Sequence, residues 1–179
     1  MNEPLGKVEV ERPLTKADVD DEKYDRYFQD LRANQNLVGG LLGGLAAAAV
    51  GAVLWAVLTQ LTGYKFGIIA IFLGFLVGKA VLKIGKGVDI QYRILGAVLA
   101  LLSCLAGDGL AVCLALAKYQ GVGVWDAFAQ AKSLGLVGFY QTVLDGQDLI
   151  FYAIAVYEGY RFSARKLTQA EYAKIREMA

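Results

Sequence analysis

One residue that can carry charge lies deep inside an apolar run of this sequence: Asp108, in the stretch CLAGDGLAV. A carboxyl group within the hydrocarbon of a membrane is costly and is by default a candidate functional group. Because burial disfavours the charged form, we expect a neutral carboxylic acid that makes hydrogen bonds. Two interpretations stay open. The carboxyl group either joins helices as a polar contact, which we favour, or it relays a proton or a cation.

Lys79 is the first partner to consider for Asp108, but the two residues are expected at different depths. At 1.5 Å per residue, Asp108 lies about 21 Å along its apolar run, whereas Lys79 lies about 9 Å from the basic end of its own run. A long lysine side chain at that depth extends toward water. A direct ion pair would therefore need one helix to be tilted or offset against the other.

Two more carboxyl groups, Asp145 and Asp148, stand directly before and inside the last apolar run. We predict that one caps this helix and the other lies in its first turn, where a negative charge is favourable. Both are then candidates for a water-filled outer vestibule. The alternative is a span over residues 134–157, which would sink both carboxyl groups into the bilayer at high cost unless they line a cavity.

The remaining side chains argue against an enzyme. The sequence has no histidine, which excludes histidine-dependent triads and imidazole metal sites. Its only cysteines, Cys104 and Cys113, lie in an apolar run without metal-ligand spacing. The stretch GKAVLKIGKG lacks the Ser or Thr of a phosphate loop. With a net charge of +1 and no basic stripe, we expect no metal, no cofactor and no nucleic-acid partner.

The apolar residues, 56% of the chain, are concentrated in blocks of the length that crosses a membrane. Three runs cover residues 38–61, 66–84 and 94–117, and a shorter fourth run covers residues 147–162. We therefore predict an all-α integral membrane protein with four transmembrane helices. The transmembrane domain would span residues 37–162, with the lipid bilayer as its first partner.

The basic residues near the spans predict the orientation, since they are enriched in cytoplasmic loops. One loop between the second and third spans carries a basic anchor, formed by Lys79, Lys83, Lys86 and Arg93. With four spans, this loop and both termini face the cytoplasm. The predicted location is the inner (plasma) membrane of a bacterium.

Three segments outside the spans carry patterns of short amphipathic helices. The acidic segment 1–36 has a capping-box pattern at Thr15 and Asp18, and the segment 163–179 has one at Thr168 and Glu171. Residues 122–145 are too polar to cross the membrane, and we predict two interfacial helices there on the outer side. Both terminal helices would lie in the cytoplasm.

Glycines recur at one-face spacing in the first two spans. The helix-packing set is Gly40, Gly44, Gly51, Gly74 and Gly78. Small residues allow helix backbones to approach closely, which drives helix association in lipid. These GxxxG-type faces are predicted to join helices within one protomer or between protomers, and the expected partner is a second copy or another membrane subunit.

Residues 39–85 carry a glycine-rich span that ends in a Trp and a TGY turn. A second span with the pattern GxxAIxxGxLVG follows it. Further along, the chain reads DLIFYAIAVYEGYRFS. These stretches resemble an uncharacterised family of small bacterial four-span inner-membrane proteins. The resemblance implies four spans and a bacterial inner membrane, and it brings no activity. Many relatives carry an N-terminal zinc ribbon, whose CxxC pairs this sequence lacks.

Two functions follow as hypotheses. The first is a structural or accessory membrane subunit that assembles through its small-residue helix faces. The alternative is a small proton- or ion-coupled transporter or channel that uses Asp108, with Asp145 and Asp148 in its outer vestibule.

Overall fold

The computed structural model describes residues 12–65, 67–133, 138 and 146–178, and every regular element in these ranges is a helix. In these described ranges, a 3-10 turn at Lys16–Asp18 precedes seven α-helices. They are α1 (Asp21–Ala33), α2 (Leu37–Thr62), α3 (Gly67–Gly85), α4 (Ile90–Gln120), α5 (Val124–Ser133), α6 (Gly146–Phe162) and α7 (Gln169–Glu177). Contacts group the chain into a terminal unit, Met1–Ala33 with Lys166–Ala179, and a bundle unit, Asn34–Arg165.

Three helices of the described chain, α2, α3 and α4, are long and apolar enough to cross a membrane. They agree closely with the runs predicted at 38–61, 66–84 and 94–117. Their outward-facing side chains are large, apolar and exposed, among them Leu42, Val53, Ile71, Phe72, Val98 and Leu102. A protein in water rarely exposes such a continuous apolar surface, whereas lipid covers it at little cost. The coarse prediction of an all-α membrane protein is supported.

Local chemistry determines where these helices start and stop. The side chain of Asn36 accepts a hydrogen bond from the backbone N–H of Gly39 at 2.7 Å and so caps the N-terminus of α2. Gly63 ends α2 with φ at 71°, and Gly121 ends α4 with φ at 69°. Both positions need the left-handed backbone conformation that glycine adopts without strain.

The four long helices of the bundle unit alternate in direction. α2 and α4 run parallel, since Gly44 meets Leu99 near their starts and Trp55 meets Gly107 further along. α3 and α6 also run parallel to each other, with Gly67 against Phe151 and Gly78 against Phe162. Each of these pairs is antiparallel to the other pair.

Two buried clusters fill this bundle. One lies toward the starts of α2 and α4 and contains Val77, Val81, Tyr92, Leu99 and Ala100. The other lies toward the opposite end and contains Trp55, Leu73, Cys104, Phe151 and Tyr152. The second cluster has the larger aromatic content, and it surrounds the polar residues described below.

The terminal unit brings α1 and α7 together. The backbone N–H and C=O of Leu14 bond the side-chain amide of Gln169 at 2.6 and 3.0 Å. The Tyr27 hydroxyl donates to Glu171 at 2.9 Å, and the Lys23 ammonium donates to the carbonyl of Met178. The two ends of the chain therefore form one compact unit.

The capping box predicted at Thr168 and Glu171 is present: the Glu171 carboxylate accepts the Thr168 N–H at 2.8 Å, and α7 follows. The box predicted at Thr15 and Asp18 also forms, but it starts the single 3-10 turn. The amphipathic helix α1 begins later, with the Asp20 carboxylate accepting the N–H of Glu22 at 3.0 Å. A better placed capping side chain therefore sets the start of this helix.

In the described part of the chain between α4 and α6, helix α5 lies within the region predicted to hold two interfacial helices. Its Ala127 and Ala131 are buried, and Ala131 packs against Cys113 of α4. Trp125 lies on its exposed side. The second predicted helix falls on residues 134–145, of which only 138 is described.

Candidate functional site

Asp108 is the centre of a buried polar cluster formed by Trp55, Lys65, Asp108, Asp148 and Tyr152. Its side chain is 1% exposed and lies about 27 Å along α4 from Ile90. The neighbouring Gly107 allows this approach, because a Cβ there would lie 2.9 Å from the Trp55 side chain. The cluster joins α2, α4 and α6 to the turn between α2 and α3.

Three donors converge on the Asp108 carboxylate. The Trp55 indole N–H donates to Oδ1 at 2.9 Å, and the Tyr152 hydroxyl donates to Oδ2 at 2.5 Å. The Lys65 ammonium lies 3.1 Å from Oδ1. Hydrogen bonds to an ionised carboxylate are about twice as strong as neutral ones, and the distances suit that form. The neutral acid expected from the sequence stays a prediction.

Lys65 connects two carboxylates. It follows the left-handed turn at Gly63, and its ammonium donates to Asp148 at 2.6 Å while it also reaches Asp108. Burial lowers the pKa of this ammonium, but the hydrogen bonds and negative charges of Asp148 and Asp108 outweigh burial and hold its pKa above the usual 10.5. Lys65 is therefore charged at neutral pH.

Asp148 is not in an open vestibule, which corrects the sequence-based expectation. It lies in the first turn of α6, as predicted, but its side chain is completely buried. The reason is the orientation of this turn, which directs the carboxylate inward to Lys65 rather than outward to water. Asp145, the other residue predicted for the vestibule, lies outside the described residues.

A recess of about 300 Å³ adjoins the cluster. Its lining residues are Thr59, Gln60, Lys65, Asp108, Ala111, Val112 and Ala115. The amide of Gln60 donates to the carbonyl of Ala111 at 2.7 Å, which fixes the last turns of α2 against α4. The recess thus joins one ammonium and one carboxylate to a space that accepts small polar species.

The depth of Asp108 also differs from the expectation. Gln60 is level with Ala111, so Asp108 lies only about one turn further inside the bundle than the last turn of α2. The sequence placed Asp108 deep in a span because its depth was measured only along its own apolar run, without reference to where the neighbouring helices end. α4 has 31 residues and extends beyond the turn after α2, and this offset brings Lys65 within reach.

The predicted packing glycines all lie in helix contacts within the chain. A Cβ at Gly44 would lie 2.5 Å from Leu99, one at Gly51 would lie 2.6 Å from Leu73, and one at Gly40 would lie 3.2 Å from the Gly85 Cα. A Cβ at Gly74 would lie 2.4 Å from the Ala155 carbonyl oxygen, and one at Gly78 would lie 2.9 Å from Phe162. These contacts occupy the small-residue faces inside the bundle.

The predicted basic anchor is spread over the end at which α3 stops and α4 starts. Lys83 and Lys86 are exposed. Lys79 lies over the Phe162 ring at 5.3 Å, and Arg93 lies over the Tyr160 ring at 5.5 Å. None of the four residues belongs to the polar cluster, and the separation predicted between Lys79 and Asp108 agrees with this arrangement.

Sequence reasoning missed three members of the cluster. They are Lys65, Trp55 and Tyr152, and no local pattern in the sequence links them to Asp108. A signal did exist, since Trp and Tyr usually find a hydrogen-bond partner when they are buried. Asp108 was the acceptor available, but only the helix arrangement could bring these side chains to it.

The described residues include no group of three or more His, Cys, Asp or Glu that could hold a metal ion. No protein-family model, curated protein or solved structure matches this chain significantly.

Proposed function

We propose that this chain is a four-span membrane protein that moves a proton or a small cation through its polar cluster, with Asp108 as the binding group. The supporting observation is that Asp108 is buried, paired with Lys65, and yet forms part of the wall of a recess. Ionisable groups inside membrane proteins are characteristic of ion pathways and proton relays.

In this proposal α6 is the fourth span. It has 17 residues and is therefore about 26 Å long, close to the thickness of the hydrocarbon. Its contacts follow α3 from Gly67 to Gly78, which is most of that helix. An even number of spans places both termini on one side, and the basic anchor assigns this side to the cytoplasm. The bacterial inner membrane is proposed from the resemblance alone.

Thiol labelling of single cysteines tests the orientation. Lys86→Cys and Tyr119→Cys lie at exposed positions at opposite ends of the bundle. A membrane-impermeant reagent should label the first only from the cytoplasmic side and the second only from outside. The native Cys104 and Cys113 are buried and serve as the unlabelled background. Labelling of both positions from one side would reject the topology.

Transport is preferred over the accessory role because the glycine faces are filled. The accessory hypothesis depended on small-residue faces that were available to a partner. Gly44 and Gly51 contact Leu99 and Leu73 of the same chain instead, and Gly74 contacts α6. Assembly with another subunit would need a different surface.

Flux in proteoliposomes tests the transport proposal. The wild-type protein should dissipate a gradient of H⁺, Na⁺ or K⁺, and Asp108→Asn should abolish this flux while the protein stays folded. Asp126→Asn is a matched control on the exposed side of α5. Equal flux in Asp108→Asn, or no flux above empty liposomes for any of the three ions, would reject transport.

The accessory role remains a second candidate, supported by the terminal unit. Both chain ends combine there into a compact pair of helices, α1 and α7. Mass spectrometry of the gently solubilised native protein tests this role. A stoichiometric companion or a stable homo-oligomer would support it, and a monomer without companions would contradict it.

A further inference from the structure

Along one face of α3 the exposed side chains change from apolar to basic. Ile68, Phe72 and Phe75 are exposed, and their spacing of three or four residues places them on one side of the helix. Lys79 and Lys83 continue the same face at the same spacing, and both are exposed. Lipid beside α3 therefore meets about two turns of apolar surface that end in two ammonium groups.

The neighbouring helix α6 has the same pattern. Ile150, Ile154 and Tyr157 share one face at the same spacing, and Arg161 continues that face. Ile150, Tyr157 and Arg161 are exposed, while Ile154 is half-buried. Because α3 and α6 run parallel, both helices place these cations at the end of the bundle that carries the basic anchor.

The ring of Phe162 brings the two faces together. The ammonium nitrogen of Lys79 and the guanidinium carbon of Arg161 each lie 5.3 Å from the centre of this ring. The two cations are therefore separated by at most twice that distance. Phe75 packs edge-on against the same ring, with 5.0 Å between the ring centres. Both faces thus point to the same side of the α3–α6 pair.

Positive charge is in excess at this place. Glu158, half-buried and one turn earlier on α6, pairs with Arg161 at 3.9 Å. Within the described residues, Lys79 contacts two aromatic rings and forms no ion pair, and Lys83 forms none either. Three cations therefore share one carboxylate. Cations in this position at a membrane surface attract anionic lipid headgroups.

We propose that this side of the α3–α6 pair binds one anionic phospholipid. Its phosphate group lies between the Lys79 ammonium and the Arg161 guanidinium, which both donate hydrogen bonds to phosphate oxygens. One acyl chain follows Phe75, Phe72 and Ile68 along α3. The site involves neither the polar cluster nor its recess, so this inference goes beyond the proposed transport.

The depth of Lys79 suits a lipid rather than a soluble anion. It stands six residues before the end of α3, which is about 9 Å along the helix. A lysine at this depth lays its methylene groups against apolar surface and extends its ammonium to the level of the headgroups. A free phosphate would use the cations alone, whereas a phospholipid also covers the exposed apolar residues on the same face.

Native mass spectrometry of the full-length protein, released from detergent, tests the site. The protein is titrated with phosphatidylglycerol and, separately, with phosphatidylcholine of the same acyl chains. The dissociation constant of the first bound phosphatidylglycerol should be at least about tenfold lower than that of phosphatidylcholine. Glycerol phosphate, which has the anionic group without acyl chains, should not displace the bound lipid at millimolar concentration.

Variants locate the binding on the protein. Lys79→Gln combined with Arg161→Gln should weaken the binding of phosphatidylglycerol at least about tenfold, to the level of phosphatidylcholine. Lys86→Gln is the matched control, because it removes an exposed positive charge from the same end of the bundle but lies in the loop after α3. It should change binding by less than about twofold. If the double variant fails to fold, each single variant should weaken binding at least about threefold.

Three results would overturn the inference. They are equal binding of the two lipids by the wild-type protein, displacement of the lipid by glycerol phosphate, and an equal loss of binding in Lys86→Gln and the double variant. The second result would identify a site for soluble phosphate, and the third a diffuse positive surface. Failure of the transport proposal is distinguishable, since lipid binding without ion flux removes transport and leaves this site in place.

Discussion

The two ends of the bundle are held together by different means. At the basic end, where α2 and α4 start, backbones approach closely through glycines: a Cβ on Gly96 would lie 2.6 Å from the Gly159 carbonyl oxygen. At the cluster end, Trp55, Lys65 and Tyr152 surround one carboxylate. The basic end is close-packed, while the cluster end combines polar side chains with a recess.

Backbone hydrogen bonds also connect the chain segments at the basic end. Asn36 donates its N–H to the Gly85 carbonyl at 2.8 Å, and Arg165 donates to the Gly87 carbonyl at 2.8 Å. Packed backbones tolerate added volume poorly, whereas an ion cluster tolerates volume but not unbalanced charge. The two ends should therefore respond to opposite kinds of substitution.

Lys65→Met should have the largest effect, a loss of about 3 to 5 kcal/mol in the free energy of unfolding at neutral pH. The substitution keeps an unbranched side chain that ends at Cε, but it leaves Asp108 and Asp148 buried without their shared ammonium. Denaturant unfolding in detergent, followed by circular dichroism, measures this loss. A loss of less than about 1 kcal/mol would contradict the charge argument.

Gly96→Ala should destabilise the basic end by about 1 to 3 kcal/mol through added volume alone. The new methyl group would lie 1.6 Å from the Ser163 hydroxyl oxygen and 2.6 Å from a backbone oxygen, so α4 and α6 must separate. Gly146→Ala is the matched control, because a Cβ there meets nothing within 4 Å. The thermal midpoint in detergent should fall for the first variant only. Equal midpoints would show that the glycine contact is not tight.

Tyr152→Phe should cost about 1.5 kcal/mol, because the Asp108 Oδ2 loses its hydroxyl donor while packing is retained. Tyr160→Phe on the same helix is the control, since the Tyr160 ring lies over Arg93, away from the cluster. The same denaturant series measures both variants. If the control were affected as strongly, the loss would come from α6 in general rather than from the cluster.

The smallest effect is expected from raising the pH. The folded-state pKa of Lys65 is held above its ordinary value of 10.5, so its charge stabilises the fold fully below that value. This stabilisation is lost as the pH rises through the folded-state pKa. The wild-type protein should therefore lose stability above about pH 10.5 more steeply than Lys65→Met does. Parallel curves for the two proteins would argue against the ion pairs.

Much of the fold could be predicted because its determinants are local. The apolar runs end where Gly63 and Gly121 force a left-handed turn, and the predicted bounds of the first two spans differ from the helices by one residue. The ion pair between Glu158 and Arg161, at 3.9 Å, is local in the same sense, because residues three apart lie on one face of a helix. Helical periodicity and hydrophobic length are properties of a short stretch of chain.

The candidate site could be predicted only in part. Asp108 stood out because a carboxyl group in an apolar run is conspicuous in any sequence. Its partners are 53, 43 and 44 residues away in the chain, at Trp55, Lys65 and Tyr152. The sequence around these residues does not indicate how far α4 extends beyond the end of α2. This offset determines which lysine contacts the Asp108 carboxylate.

Local sequence therefore accounts for the all-helical fold, for three helices long and apolar enough to cross a membrane, for the limits of these helices and for one conspicuous carboxyl group. The tertiary structure decided that the glycine faces are filled within the chain, that Asp148 is buried, and that Lys65 joins two carboxylates beside a recess. The physical reason is that hydrophobic length acts within a segment. Charge pairing and close packing depend on the relative depth and rotation of separate helices, which are fixed only when those helices assemble.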